Sequence, residues 1–144
     1  MIKLQDNFTF DEFVWSGDKQ SPSLEQSYNI VKMAEKLQQL RNIVGTLEVN
    51  SGFRGVQHNK DVGGSFNSYH LEGLASDIKF DFKGWTKGTM TKVLKSIGFT
   101  NVNFYWNTSR TSWVWIHIDL GKTWNGKEFY YRDMDFISKK EILL

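Results

Sequence analysis

The chain has 144 residues, 40% of them apolar and 15% aromatic, and carries 18 Lys and Arg against 16 Asp and Glu for a net charge of +2. That is enough apolar material for one core and too little chain for two ordinary domains, so residues 1–144 are expected to form a single domain. With no Cys, disulfide frameworks, thiolate zinc sites and cysteine nucleophiles are excluded, and any zinc must be held by His and carboxylates.

The mildly basic balance suits an anionic surface such as a bacterial wall, and equally suits ordinary solvated lysines. No basic stripe is interleaved with aromatics, so no nucleic-acid partner is expected. No apolar run approaches the roughly 20 residues that span a bilayer, so no membrane partner is expected. The opening "MIKLQDNFTF" has no basic segment followed by an apolar run. This predicts a soluble monomer made in the cytoplasm without a signal peptide.

In chain order, "NFTFDEFVWSG" predicts a short helical turn capped by Thr9. "SPSLEQSYNIVKMAEKLQQLRNIVG" predicts a long helix. Leu24, Tyr28, Val31, Ala34, Leu37, Leu40 and Val44 recur there at three- and four-residue steps, with Ser21-Pro22 at the start and Gly45 at the stop. "TLEVNSGF" reads as a strand, and "RGVQHNKDVGGSFNSYH" as an irregular loop. "GLASDIKFDF" alternates, with Leu74, Ser76, Ile78 and Phe80 on one face and Ala75, Asp77, Lys79 and Asp81 on the other. Residues 86–97 predict a second helix, with Met90, Val93, Leu94 and Ile97 inward and Gly98 closing it. "FTNVNFYW" and "SWVWIHIDLG" predict two strands around the turn "NTSR", and Asn125-Gly126 predicts a last hairpin. The sum is a small α+β domain, helices packed on one face of a mostly antiparallel sheet.

Three ionisable residues stand out. His70 closes the irregular loop, where a histidine is either a surface residue or a ligand. Asp77 lies on a strand whose other face is apolar, and a carboxylate near a core needs a partner. His117 follows in "WVWIHIDLG". Alternation there puts Trp113, Trp115, His117 and Asp119 on one face and the core residues Val114, Ile116, Ile118 and Leu120 on the other. Two histidines and one carboxylate can hold a catalytic Zn2+ with an open fourth position. His58, in the loop, has no such strand context. The aromatic face of Trp113 and Trp115, with Tyr105 or Trp106, either binds substrate or forms a second hydrophobic layer.

Several motifs occur in order: Ser51–Arg54 as S-G-F-R, Asn59, Val62–Ser65 as V-G-G-S, Ser68–Ile78 as S-Y-H-L-E-G-L-A-S-D-I, and Trp115–Asp119 as W-I-H-I-D. This series, over roughly residues 46–121, resembles the signature of the zinc D-alanyl-D-alanine peptidases. That group includes D-Ala-D-Ala carboxypeptidases, phage L-alanyl-D-glutamate endolysins, murein endopeptidases and, more distantly, hedgehog domains. The resemblance implies a hedgehog-like fold, a Zn2+ cofactor held by His70, Asp77 and His117, and hydrolysis of peptide bonds in peptidoglycan stems or cross-links. With no leader expected at the start, this fits a phage or prophage lysin acting at the wall or on the virion.

It further implies that Arg54 meets a substrate carboxylate or the oxyanion, unless it pairs with Asp61 or Glu72. Ser51 and Ser68 either orient ligands and bind substrate or cap turns, and Trp115, of the aromatic face described above, is the candidate substrate wall. Many relatives carry Glu or Asp three residues before the last ligand, or His two before it; here those positions are Val114 and Trp115. Asp119 is then the nearest candidate proton acceptor, or else a group that steers His117. The alternative function is an inactive, zinc-stabilised wall- or partner-binding module of the same fold.

Overall fold

The computed structural model describes residues 2–107, 112–122, 129–133 and 141–143. A six-stranded sheet runs in the order β3 (Leu47–Ser51), β4 (Ala75–Phe80), β6 (Ser112–Asp119), β5 (Asn101–Asn107), β7 (Phe129–Asp133) and β8 (Glu141–Leu143). Every pairing is antiparallel except β5 with β7. A two-stranded ribbon of β1 (Lys3–Gln5) and β2 (Phe8–Thr9) precedes a 3-10 turn at Phe10–Phe13. In that turn Glu12 reaches back to the Thr9 N–H at 3.0 Å. The expected turn at "NTSR" lies largely, and the hairpin at Asn125-Gly126 wholly, outside the described residues.

Helices α1 (Leu24–Val44) and α3 (Lys87–Ile97) cover one face of the sheet. Ile30, Met33, Ala34, Leu37 and Leu40 of α1 and Met90, Leu94 and Ile97 of α3 meet Ile78, Phe80, Val102, Phe104, Ile116 and Ile118 in one buried cluster. Strands β4, β5 and β6 therefore give alternate residues to this core, which drives the layering. The other residues of the same strands face away from the helices, and the candidate site is built there.

The ends of α1 follow from local chemistry. Ser23 forms a capping box with Gln26, accepting its N–H at 3.1 Å while its own N–H donates to Gln26 Oε1 at 2.7 Å. Gly45 stops the helix at φ 87°. The inward face departs from the expected stripe. Leu24, Tyr28 and Val31 are 90%, 63% and 40% exposed, whereas Asn29 and Ile30 are buried. The first turns of α1 lie over a polar loop instead of the sheet. There Gln26 donates to Leu71 O at 3.0 Å and Asn29 to Glu72 O at 2.9 Å. The loop between β3 and β4 is also more regular than expected. It contains α2 (Val56–Asp61) and a 3-10 turn at Tyr69–Glu72, closed by Gly73 in the left-handed region at φ 75°.

Strand β6 departs from simple alternation. Tyr105 pairs with Trp115, but Trp106 pairs with Trp113, leaving Val114 as an extra residue. The bulge turns Trp113 to the core side, where it packs on Phe104 (5.8 Å between ring centroids) and Trp106 (4.8 Å). The expectation that Trp113 shares a face with Trp115, His117 and Asp119 is thus corrected.

Candidate metal centre

Register builds the site. Ser51 pairs with Asp77, Asp77 with His117, and His117 with Asn103, so one row crosses β3, β4, β6 and β5. The 3-10 turn brings His70 to this row from above. Ser68 caps that turn, accepting the His70 N–H at 3.2 Å, and Arg54 N–H donates to His70 O at 2.9 Å. Of the two readings of Ser68, the contact seen is that of a turn cap.

The donor atoms of His70, Asp77 and His117 all lie within 4.8 Å of one another. Asp77 Oδ1 is 3.3 Å from His70 Nε2 and 2.9 Å from His117 Nδ1. The remote ring nitrogens are occupied elsewhere. His70 Nδ1 lies 2.7 Å from Gly52 O, and His117 Nε2 lies 3.0 Å from Asp119 Oδ2. When those nitrogens carry the protons and donate to these acceptors, the lone pairs of His70 Nε2 and His117 Nδ1 both face Asp77 Oδ1. The residues present fit a zinc ion: two imidazole nitrogens and one carboxylate oxygen converge, with each imidazole steered by an outer acceptor.

Asp119 is buried behind His117, on the side away from Asp77, and accepts from Asn101 Nδ2 at 2.7 Å and Gly121 N–H at 3.0 Å. This geometry favours the steering role of Asp119 over that of proton acceptor at the open side. The Asn101 contact and the Gly52 carbonyl escape sequence reasoning. Asn101 and Asn103 could have been noticed as alternate polar residues between Val102 and Phe104, whereas a backbone carbonyl leaves no signature.

Arg54 is largely buried and pairs with neither Asp61 nor Glu72. Its Nη2 donates to Asp77 Oδ2 at 3.1 Å, Nε to Ser51 Oγ at 3.0 Å and Nη1 to Asn59 Oδ1 at 3.4 Å. His58 stands apart from the triad, its Nδ1 3.2 Å from buried Asp18 and its ring beside Trp15. Trp115 stacks on Tyr105, 4.2 Å between centroids and 16° between planes.

Electrostatics follow from burial and pairing. Burial disfavours the charged form of His117, but the hydrogen bonds and charges of Asp119 and Asp77 outweigh it and raise this group to about 9 in the metal-free protein. Burial likewise opposes ionisation of Asp77, yet His117 and His70 hold its carboxyl well below the usual carboxylate range. Burial pushes His70 down, against the pull of Asp77. Two of the three donors are thus ready for a metal, His70 neutral and Asp77 ionised, while His117 holds a proton.

The triad lies in a cleft of about 570 Å³, walled by Arg54, Ser68, Tyr69, Asn103, Tyr105 and Trp115 among others. Among the described residues its walls carry no carboxylate or imidazole beyond Asp77, Asp119, His70 and His117. A second hollow of about 1020 Å³, lined by Trp15, Asp18 and His58, adjoins it across Arg54 and Val62.

A small α+β fold with a His-Asp-His cradle sunk in the open face of its sheet describes a class of metal-binding domain. The particular relationship is firmer: the sequence profile of the Peptidase M15 family matches residues 6–119, and this chain belongs to that family. The chain is also 35% identical over 103 residues to a zinc D-Ala-D-Ala carboxypeptidase of Streptomyces albus G. That alignment covers 67% of this chain and 39% of the relative, so the chain matches about two fifths of that protein's length.

Proposed function

We propose that this chain, acting as a single-domain monomer, is a zinc-dependent peptidase that hydrolyses peptide bonds in bacterial peptidoglycan. One observation carries the reading. Nε2 of His70, Oδ1 of Asp77 and Nδ1 of His117 converge, while Gly52 O and Asp119 occupy the opposite ring nitrogens. When bound, zinc supplies Lewis acidity that polarises a carbonyl and lowers the pKa of water. His70 offers a neutral nitrogen for it and His117 offers Nδ1 once its proton there is displaced, with Asp119 holding the proton on Nε2. Arg54 still has two of its five N–H donors unengaged by the contacts above, enough to meet a peptide carbonyl or carboxylate. Trp115, braced by Tyr105, forms a firm wall for the peptide. The adjoining hollow lets a substrate continue past Arg54, which suits a bond inside a stem or cross-link as well as a terminal one.

The test is incubation of purified peptidoglycan with the protein, with and without chelator, beside His117→Ala. Zinc-dependent release of new amino termini supports the reading, and mass spectrometry of the fragments identifies the bond. A specific observation favours a second reading, an inactive wall-binding module. Val114 and Trp115 stand where many relatives carry a proton acceptor, and the one further carboxylate of the described cleft walls, Asp119, is engaged behind His117. Tight wall binding without new termini would establish it.

A further inference from the structure

The strongest unexplained feature of the site is a buried cation beside a cradle for a cation. Arg54 places its guanidinium against Asp77, where its charge opposes that of any bound metal. A purely electrostatic design would leave that place neutral, so the contact calls for a geometric reason. The two oxygens of Asp77 have divided partners: Oδ1 faces both histidines, whereas Oδ2 is taken by Arg54 at 3.1 Å.

The guanidinium is itself immobilised. Ser51 Oγ takes Nε, and Asn59 Oδ1 takes Nη1. Asn59 is 2% exposed and anchored through its own amide to Ser65 O at 2.8 Å. Gly64 has no side chain because a Cβ there would run into Asn59 Oδ1 and press on Arg54 Nη1. Four spaced parts of the sequence therefore meet in one clamp on a single carboxylate oxygen: the Ser and Arg of "SGFR", Asn59, Gly64 of "VGGS", and Asp77.

We propose that this clamp makes Arg54 a positioning residue that confines Asp77 to one-oxygen ligation through Oδ1. A carboxylate free at both oxygens can turn and occupy two coordination positions; with Oδ2 held by a fixed fork, it occupies one. The position thereby kept open is the one a peptidase needs. The inference rests on the metal-centre reading above and goes beyond it, because it gives Arg54 a task that is present before any substrate arrives.

Cobalt(II), which reports its coordination number in its visible spectrum, tests this in the full chain. The wild-type protein is expected to show the intense absorption of four-coordinate cobalt. Arg54→Ala is expected to show the weaker bands of a higher coordination number and a change in zinc affinity of about 10–100-fold. Arg54→Lys keeps the charge but loses the fork that engages Ser51 and Asn59, so it should shift the spectrum in the same direction as Arg54→Ala, which separates the clamp from the charge alone. Asn59→Ala, which loosens the clamp without removing the charge, supplies the test should Arg54→Ala fail to fold; it is expected to shift the spectrum in the same direction. Spectra unchanged in both Arg54→Ala and Asn59→Ala overturn the proposal, whatever happens to turnover. A wild-type protein that binds neither cobalt nor zinc is a different result, and overturns the metal centre itself.

Discussion

At the scale of residues, the proton on His117 stands against entry of a metal into the proposed cradle. The group is raised to about 9 by Asp119 and Asp77, so at neutral pH a metal entering the cradle must displace a proton. Calorimetry of zinc binding at pH 7 in buffers of different ionisation heat should therefore show release of about one proton. Affinity should fall about tenfold for each pH unit below that pKa. Replacing the steering carboxylate, Asp119→Ala, should lower zinc affinity by about 10–100-fold in a competition assay, and is also expected to lower the proton release by removing one cause of the raised pKa. Asp77 and His117 were legible as candidates because few ionisable residues stand in otherwise apolar or aromatic strands, and His70 because it stands in the spaced motif S-Y-H-L-E-G-L-A-S-D that leads to Asp77. The Gly52 carbonyl was not, since every residue has one. Nor was the partner of Arg54, because a contact spanning 23 positions in the chain has no local pattern.

At the scale of elements, α1 does two jobs along its length. From Ile30 onward it buries Met33, Leu37 and Leu40 in the core, while Gln26 and Asn29 hold the loop that presents His70. The apolar stripe at Leu24, Tyr28 and Val31 is consequently exposed, and Leu24→Ser should change stability by no more than about 0.5 kcal/mol in urea unfolding. Gly73, just beyond the His70 turn, is the opposite case. It combines φ 75° with a close approach to Gln26 O, which a Cβ would meet at 2.7 Å. Gly73→Ala should cost about 1–3 kcal/mol and weaken zinc binding as well, because the turn it displaces carries the proposed ligand His70. In β6 the alternation was readable from Trp115 to Asp119 and failed at Trp113. A bulge is set by the partner strand's register, and no periodicity within one strand contains it.

At the scale of the whole molecule, the site joins strands to a loop that only folding brings together, so metal binding and stability are linked. Zinc at 100 times its dissociation constant should add about 2.7 kcal/mol, and chelation should lower Tm by roughly 10 °C. The metal-free protein should show its own pH dependence. His117 has a raised pKa, so its stabilising contribution is complete below the unfolded value of 6.5 and is lost as pH rises through about 9. Asp77 has a lowered pKa, so its contribution is present above 3.8 and is lost as pH falls further. Burial lowers His70, so its contribution is lost as pH falls below 6.5. Denaturant midpoints of metal-free protein should therefore be higher at pH 6.5 than at pH 9, the interval that His117 governs. By itself the sequence determined the α+β class, the two helices, the alternation of β4 and the family, because periodicity, caps and spaced motifs are local properties of the chain. Tertiary structure alone decided which nitrogen of each histidine faces Asp77, where Trp113 points and what Arg54 holds. Those depend on strand register and on loops docking across the sheet, which bring together atoms that the linear order keeps far apart.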